Sequence, residues 1–217
     1  LSDIGHTIVE PKPALVGLVT EPHYKELQGI SLQNILVKSG KTQIEGDILF
    51  TDNGITGPAI FELSSINARK ELPYEIIIDF LNKEIDWQNL FDKNPHKELK
   101  NIVSEYLPKA FVNVILKNIN LTQKGHEIKS NTKVLVNSTI RNFKTKVINT
   151  RKNGETVTVG GVLLKEIDSK TLQSRLISDL YLCGEVIDVD GFCGGYNLQN
   201  CWSTGYITAI AINSRLQ

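Results

Sequence analysis

Glycines and carboxylates crowd one run near the C-terminus: Gly184, Glu185, Asp188, Asp190, Gly191, Gly194 and Gly195, followed by Tyr196, Asn197 and Leu198. Residues 179–184 ahead of them are largely apolar and are expected to form a buried strand. A helix is expected over residues 196–213. A strand entering an acidic glycine-rich loop, with a glycine pair opening a helix, has the chemistry of a cofactor edge. Glycine lets backbone approach a ligand closely, and the free amides and positive end of a helix favour carbonyl or anionic oxygens. A carboxylate at the end of a strand accepts hydrogen bonds from sugar-like hydroxyls. The same residues also fit a plain strand–turn–helix joint, in which glycine serves only the turns.

Other chemistries fail on spacing. Asp188, Asp190 and Gly191 hint at a calcium loop, but the twelfth position from Asp188 is Gln199, not the bidentate Glu of such loops. No Gly-x-Gly-x-x-Gly follows a strand, so the chain carries no dinucleotide fingerprint of its own. No Ser-His-Asp order or phosphate loop emerges. His6, His23, His96 and His126 lack metal-ligand spacing, and no metal is expected. His6 either lines a ligand boundary or is structural. Cys193 lies within the loop and is expected as a small buried side chain. Tyr196 and Tyr206 have phenols that can donate protons, but Tyr206 is expected in the core. Thr51, Asn53 and Thr56 fit either a substrate-facing loop or the turn chemistry of Asn53-Gly54.

The elements that must position these residues fall into three stretches. Through residue 69 the chain reads as short strands: Pro11, Pro13 and Pro22 exclude a long helix. Residues 30–38 alternate with Ile30, Leu32, Asn34 and Leu36 on one face, and residues 43–50 complete a hairpin. Pro58 opens a short helix, and residues 74–80 form a buried strand. Helical spacing takes over across 82–142, in segments 86–91, 96–106, 108–117 and 132–142. Leu99, Ile102, Val103 and Tyr106 share one face, as do Phe111, Val114 and Ile115. Residues 143–148 and 156–164 return to strand. In the last helix Leu198, Trp202, Tyr206 and Ile210 repeat every four residues beside the small Ser203, Gly205 and Ala209.

Composition narrows the function classes. The 217 residues carry 24 Lys and Arg against 24 Asp and Glu, so the net charge is +0 and gives no reason to expect nucleic acid. The densest basic cluster is only Lys144, Lys146, Arg151 and Lys152. No apolar run reaches the roughly 18–20 residues of a membrane span, and no membrane partner is expected. Cys183, Cys193 and Cys201 form no Cys-x-x-Cys pair and suit a reducing cytoplasm. Methionine is absent, initiator included, as expected of a fragment of a longer polypeptide.

Gly184 to Gly191 followed by Gly194 to Gln199 resembles the C-terminal signature of bacterial NAD(P)/FAD-dependent, aminoacetone-oxidase-like flavoprotein oxidoreductases. The likeness extends along the chain in order. Gly5 to Ile8 with Pro13 to Leu15 resembles the family's entry into an inserted domain. Gly46 to Thr51 with Gly54 to Pro58 resembles its β-domain motif, and Thr158 to Val162 with Lys165 to Asp168 its return to the flavin domain. Phe192-Cys193, Val159 and Asn200-Cys201 depart from the pattern without removing a glycine or an acid.

The resemblance implies an α+β fold: a β-rich, barrel-like inserted domain with a small helical subdomain, plus the C-terminal segment of a Rossmann-like FAD domain. The implied limits are 1–10 for the end of a flavin-domain segment, 11–155 for the substrate-side insert (helical over about 82–142) and 156–217 for the C-terminal flavin segment. Gly184 and Glu185 would sit near the ribityl and pyrophosphate, with Asp188, Asp190 and Gly191 in the loop beside them. Gly194, Gly195, Tyr196, Asn197 and Leu198 would bring a helix N-terminus to the isoalloxazine. The implied activity is hydride transfer between a small organic molecule and FAD, with NAD(P)H as possible co-substrate. The implied partner is a missing N-terminal Rossmann segment of the same polypeptide, without which the fragment is inactive. A non-catalytic binding module is the alternative, and an RNA- or nucleotide-associated protein a third, disfavoured by the charge balance.

Overall fold

The computed structural model describes residues 1–152, 154 and 157–215. They divide into two compact units: Gly17–Leu63 with Glu71–Thr150, and Leu1–Val16 with Ser64–Lys70 and the chain from Arg151 onward. The first is built on a closed barrel that meets the β-rich, barrel-like expectation. Its strands are β2 (Leu18–Glu21), β3 (Ser31–Ser39), β4 (Thr42–Phe50), β5 (Gly54–Thr56), β6 (Tyr74–Asp79) and β7 (Phe143–Thr150), in the spatial order β2-β5-β4-β3-β6-β7, with β7 closing onto β2.

Strands β3 and β4 form the expected hairpin, but with a shifted phase. Asn34 takes φ 53 at a bulge between Leu32 and Ile35, and the inward set becomes Leu32, Ile35, Val37 and Ser39. Ile30 and Leu36 are therefore only half-buried. An extra residue in a strand reverses the faces beyond it, which simple alternation cannot anticipate.

The helices of this unit are α1 (Pro58–Ile66, whose end passes into the second unit), α2 (Trp87–Lys93), α3 (Leu99–Val103), α4 (Lys109–Ile115) and α5 (Ser130–Arg141). Asp86 caps α2 by accepting from Asn89 N at 3.0 Å. The predicted 96–106 helix shortens to α3, and Phe111 and Val112 are the deeply buried pair of α4, with Val114 and Ile115 partly buried. Phe111 packs on Phe80 and Phe50 at ring distances of 4.7 and 5.9 Å, which joins the helices to the barrel core. The buried Asp79 accepts from Leu81 N, Asn82 N and Arg141 Nε, so no lone charge is left inside.

In the second unit β1 (Ile8–Ala14) pairs antiparallel with β8 (Val157–Val162). Thr156, the expected start of that strand, and the domain limit at 155/156 lie outside the described residues. Gly161, at φ 137, comes so close to the chain at Val186 that a Cβ there would lie 2.5 Å from its carbonyl oxygen. The strand predicted over 179–184 does not form. Asp179 turns the chain at φ 61, and Tyr181 makes a single bridge to Gln173 before a 3-10 turn at Gly184–Val186. The longest helix is α6 (Tyr196–Arg215). Among the described residues no helix is long and apolar enough to cross a membrane.

Candidate functional site

The glycine-rich loop and the start of α6 line an open cleft of about 260 Å³ in the second unit. Its walls are Leu15, Val157, Glu185, Val189, Phe192, Cys193, Gly194, Gly195, Asn197, Leu198, Asn200 and Cys201. The volume lies just below the roughly 300–1,000 Å³ of whole drug-sized sites, so it suits one end of a larger ligand. Of the residues expected here, Glu185, Gly194, Gly195, Asn197 and Leu198 line the cleft. Gly184, Asp188, Asp190, Gly191 and Tyr196 do not.

Each has a definite local role. Gly184 N donates to Thr204 Oγ1 at 2.9 Å, which fixes the chain to the buried position of α6. Asn197 clamps the loop from both sides, accepting from Gly191 N and donating to Gly191 O, each at 2.8 Å. Asp188 pairs with Arg69 at 3.1 Å and Asp190 accepts from Ser65 Oγ at 2.5 Å, so both carboxylates are spent on the segment Ser64–Lys70. Glu185 Oε1 accepts from Thr158 N at 2.6 Å. Among the described residues its second oxygen has no partner.

Gly194 and Gly195 take φ 129 and 86, and nothing stands within 4 Å of the place a Gly195 Cβ would occupy. No side chain among the described residues caps the first-turn amides of α6. These open donors lie at the positive end of a twenty-residue helix, beside apolar walls. The arrangement can receive a carbonyl or anionic oxygen and stabilise negative charge there. The residues present therefore fit the carbonyl edge of a flavin, with Glu185 available to a hydroxyl.

Two expectations fail on burial. Cys193 is exposed rather than buried, because the loop carries it onto the cleft wall. Tyr206 is 69% exposed, and it shares its side of α6 with Leu198, Trp202 and Ile210, all exposed. The four-residue repeat is real, but nothing described covers it. Thr51 and Asn53 do serve a turn: Thr51 N bonds Gly54 O, and Asn53 O accepts from Thr20 N. Spacing gave no sign of Leu15 and Val157 on the cleft. They arrive there through the β1–β8 pairing, with Leu15 held at φ 47, a costly backbone state of the kind found at ligand sites.

His6 is structural. Its Nδ1 lies 2.9 Å from Glu166 Oε2 and its Nε2 3.0 Å from Ser174 Oγ. That Oγ already accepts from Leu176 N and Ile177 N, so its hydroxyl donates to Nε2 and the imidazole proton sits on Nδ1. A Ser–His–Glu line results, but the serine is buried and its lone pairs are engaged, which removes it as a nucleophile. Hydrogen bonding from Thr7, and then from His6, holds the Glu166 carboxyl below its usual range.

Two similar proteins are named ribosomal RNA dihydrouridine synthase. The one from Escherichia coli strain K12 is 30% identical over 96% of this chain and 56% of its own length. That from Haemophilus influenzae is 32% identical over 96% and 53%. The 3-dehydro-bile acid delta(4,6)-reductase of Clostridium scindens is 28% identical over 98% and 56%. The chain thus spans about half the length of these curated relatives. The family described as HI0933-like protein Rossmann domain matches residues 1–211, nearly the whole chain. By that match this chain belongs to the HI0933-like Rossmann family, whose members bind FAD.

Proposed function

We propose that this chain is the substrate-side and flavin-edge portion of an FAD-dependent reductase that saturates a carbon–carbon double bond conjugated to a carbonyl. The observation that carries the reading is the cleft at the start of α6, where uncapped amides meet an apolar wall. The relatives' names add the reaction class. Conversion of uridine to dihydrouridine, and reduction of a 4,6-diene beside a 3-ketone, both add two electrons and two protons to a carbonyl-activated double bond.

FAD, when bound, supplies hydride transfer, with NAD(P)H as the source of reducing equivalents. The chain's own residues position and tune. The amides from Gly194 to Leu198 hold a carbonyl oxygen or negative charge. Glu185 accepts a hydrogen bond from a hydroxyl, and Val189, Phe192 and Leu198 give the ligand an apolar wall. Asn197 keeps the loop in shape through its two bonds to Gly191.

A uracil base in RNA is the favoured substrate, since the relatives at 30% and 32% identity bear that name. This departs from the expectation drawn from whole-chain charge, which averages over regions of opposite sign. A free small-molecule enone is the second reading, favoured by the 28% identical bile-acid reductase. The ADP half of FAD falls to a Rossmann segment elsewhere in a longer polypeptide, because these 217 residues hold no glycine fingerprint. On its own the chain then binds FAD weakly and is inactive. Its free thiols suit the cytoplasm.

The test is a visible spectrum of the protein, made at the length of its relatives and desalted, followed by NADPH oxidation with uridine-containing RNA or an enone. A retained flavin band with loss of the uracil ultraviolet band supports the RNA reading; turnover of the enone alone supports the small-molecule one. A folded protein that stays colourless with added FAD overturns both and leaves a binding module.

A further inference from the structure

The charge balance of the whole chain conceals a segregation. Residues 82–142 carry ten Lys and Arg against six Asp and Glu, so the helical part is net basic and the remainder net acidic. Much of that positive charge gathers where two loops meet. Gly125 N bonds Lys97 O at 3.0 Å, and His126 N bonds Pro95 O at 3.1 Å. These contacts draw the end of α2 (Lys93) and the connection after it (His96, Lys97) beside the turn Gly125–Glu127 and its flanking Lys124 and Lys129. Lys93, Lys124 and Lys129 are exposed and have no ion pair among the described residues, whereas Lys97 pairs with Glu105. Glu127 Oε2 accepts from Lys124 N at 2.8 Å and its Oε1 lies 4.0 Å from His126 Nε2, so one carboxylate remains among these cations.

Two imidazoles lie within this basic rim. His96 and His126 are both exposed, with ring centroids 5.8 Å apart and planes at 64°. His126 Nδ1 is bonded to Pro95 O, which fixes that ring rather than leaving it to rotate. A fixed, solvent-facing ring with a second imidazole at its side, framed by unpaired lysines, offers what a single-stranded nucleic acid requires: a surface for a base to stack on and cations for the flanking phosphates.

We infer that this two-loop surface is an RNA-contact site, with Lys93, Lys124 and Lys129 on phosphates and an unstacked base lying on one imidazole of the edge-to-face His96–His126 pair. The inference rests on the RNA reading above and locates where the strand is held.

The experiment measures anisotropy of a labelled, uridine-containing single-stranded RNA oligonucleotide bound to the full-length protein, from about 50 to about 200 mM KCl. The variant K93Q/K124Q/K129Q is expected to bind about ten-fold or more weakly. Its slope of log affinity against log salt should be smaller by about 2, since each single-strand phosphate contact contributes about 0.7. The variant H96A/H126A should lose about five-fold or more with an unchanged slope, because stacking releases no counterions. Flavin absorbance and turnover of a free enone or uridine should match the parent in both. If the parent binds RNA and both variants bind it equally well with the same slope, the surface is misplaced and the RNA reading survives. If the parent does not bind RNA at any of these salt concentrations, the RNA reading and this site fall together.

Discussion

Ser174 holds three groups at once: the amides of Leu176 and Ile177 and the Nε2 of His6. Replacing it with alanine leaves a buried imidazole nitrogen and two amides without that partner. Removing one member of a buried polar set typically costs about 1–3 kcal/mol. The urea transition of the unit that holds Ser174 should show a loss in that range in Ser174→Ala, with the slope of that transition unchanged; a variant as stable as the parent would mean water replaces the hydroxyl. Glu166 gives the same network a pH dependence. Its carboxyl titrates lower in the fold than its ordinary value of 4.5, so the unfolded chain binds the proton more readily. The stabilisation is therefore complete above that ordinary value and fades as pH falls through the lowered one. Asp168, held low by the backbone amides of Lys170 and Thr171, adds in the same direction. A Glu166→Gln chain should show a flatter decline of stability on acidification than the parent, and parallel curves would remove Glu166 from the account.

At the scale of elements, α6 is the anomaly. Over its twenty residues only Thr204 is buried, while Leu198, Trp202, Tyr206 and Ile210 are 64, 70, 69 and 49% exposed. Covering what these four side chains still expose, about two and a half side chains' worth, is worth roughly 4–8 kcal/mol before ordering costs, at about 1.5–3 kcal/mol per fully buried side chain. A stripe of that size marks an interface, and the Rossmann segment proposed to complete the FAD site is its expected cover. In a Trp87→Phe background Trp202 is the remaining tryptophan of these 217 residues, and its emission is read as the difference from a Trp87→Phe/Trp202→Phe variant of the same length. Its emission should be that of a solvated indole in this chain and shift to the blue in the longer protein. Emission that does not differ between the two would place the cover elsewhere. The sequence marked this stripe by its spacing but could not tell an inward face from an unpartnered one, because periodicity reports apolarity and not the neighbour. The β3 bulge at Asn34 hid its phase for a related reason: one residue in the left-handed region reverses every side chain after it. The β3–β4 hairpin, the helix opened by Pro58, and the glycine pair before α6 were legible, since each is set by local chemistry. Leu15 and Val157 on the cleft were not, because their meeting depends on a pairing between distant strands.

For the molecule as a whole, the two units differ sharply in how much core supports them. The barrel unit buries a continuous cluster that runs from Leu18 through Phe50, Ile78 and Phe111 to Val147. The other unit's cluster consists of Val162, Ile167, Leu172, Leu182 and Ile187, with Leu180, Val189 and Ile207 packed at its margin. Much of this smaller unit is loop and turn, tied by side-chain hydrogen bonds rather than by apolar area. Because stability follows buried apolar surface, the units should open separately, the smaller one first. Hydrogen exchange followed by mass spectrometry should find the slowest amides in β3, β4 and β6. Amides of residues 164–195 should exchange through a lower-energy opening that becomes easier as Glu166 is protonated. Ligand linkage sharpens the expectation: a flavin held at the start of α6 stabilises only the state in which that unit is folded. In the longer protein, added FAD should slow exchange in 184–200 and leave β3 and β4 unchanged. Equal protection gained in both units would mean that they unfold as one, and the division into two energetically distinct bodies would have to be given up.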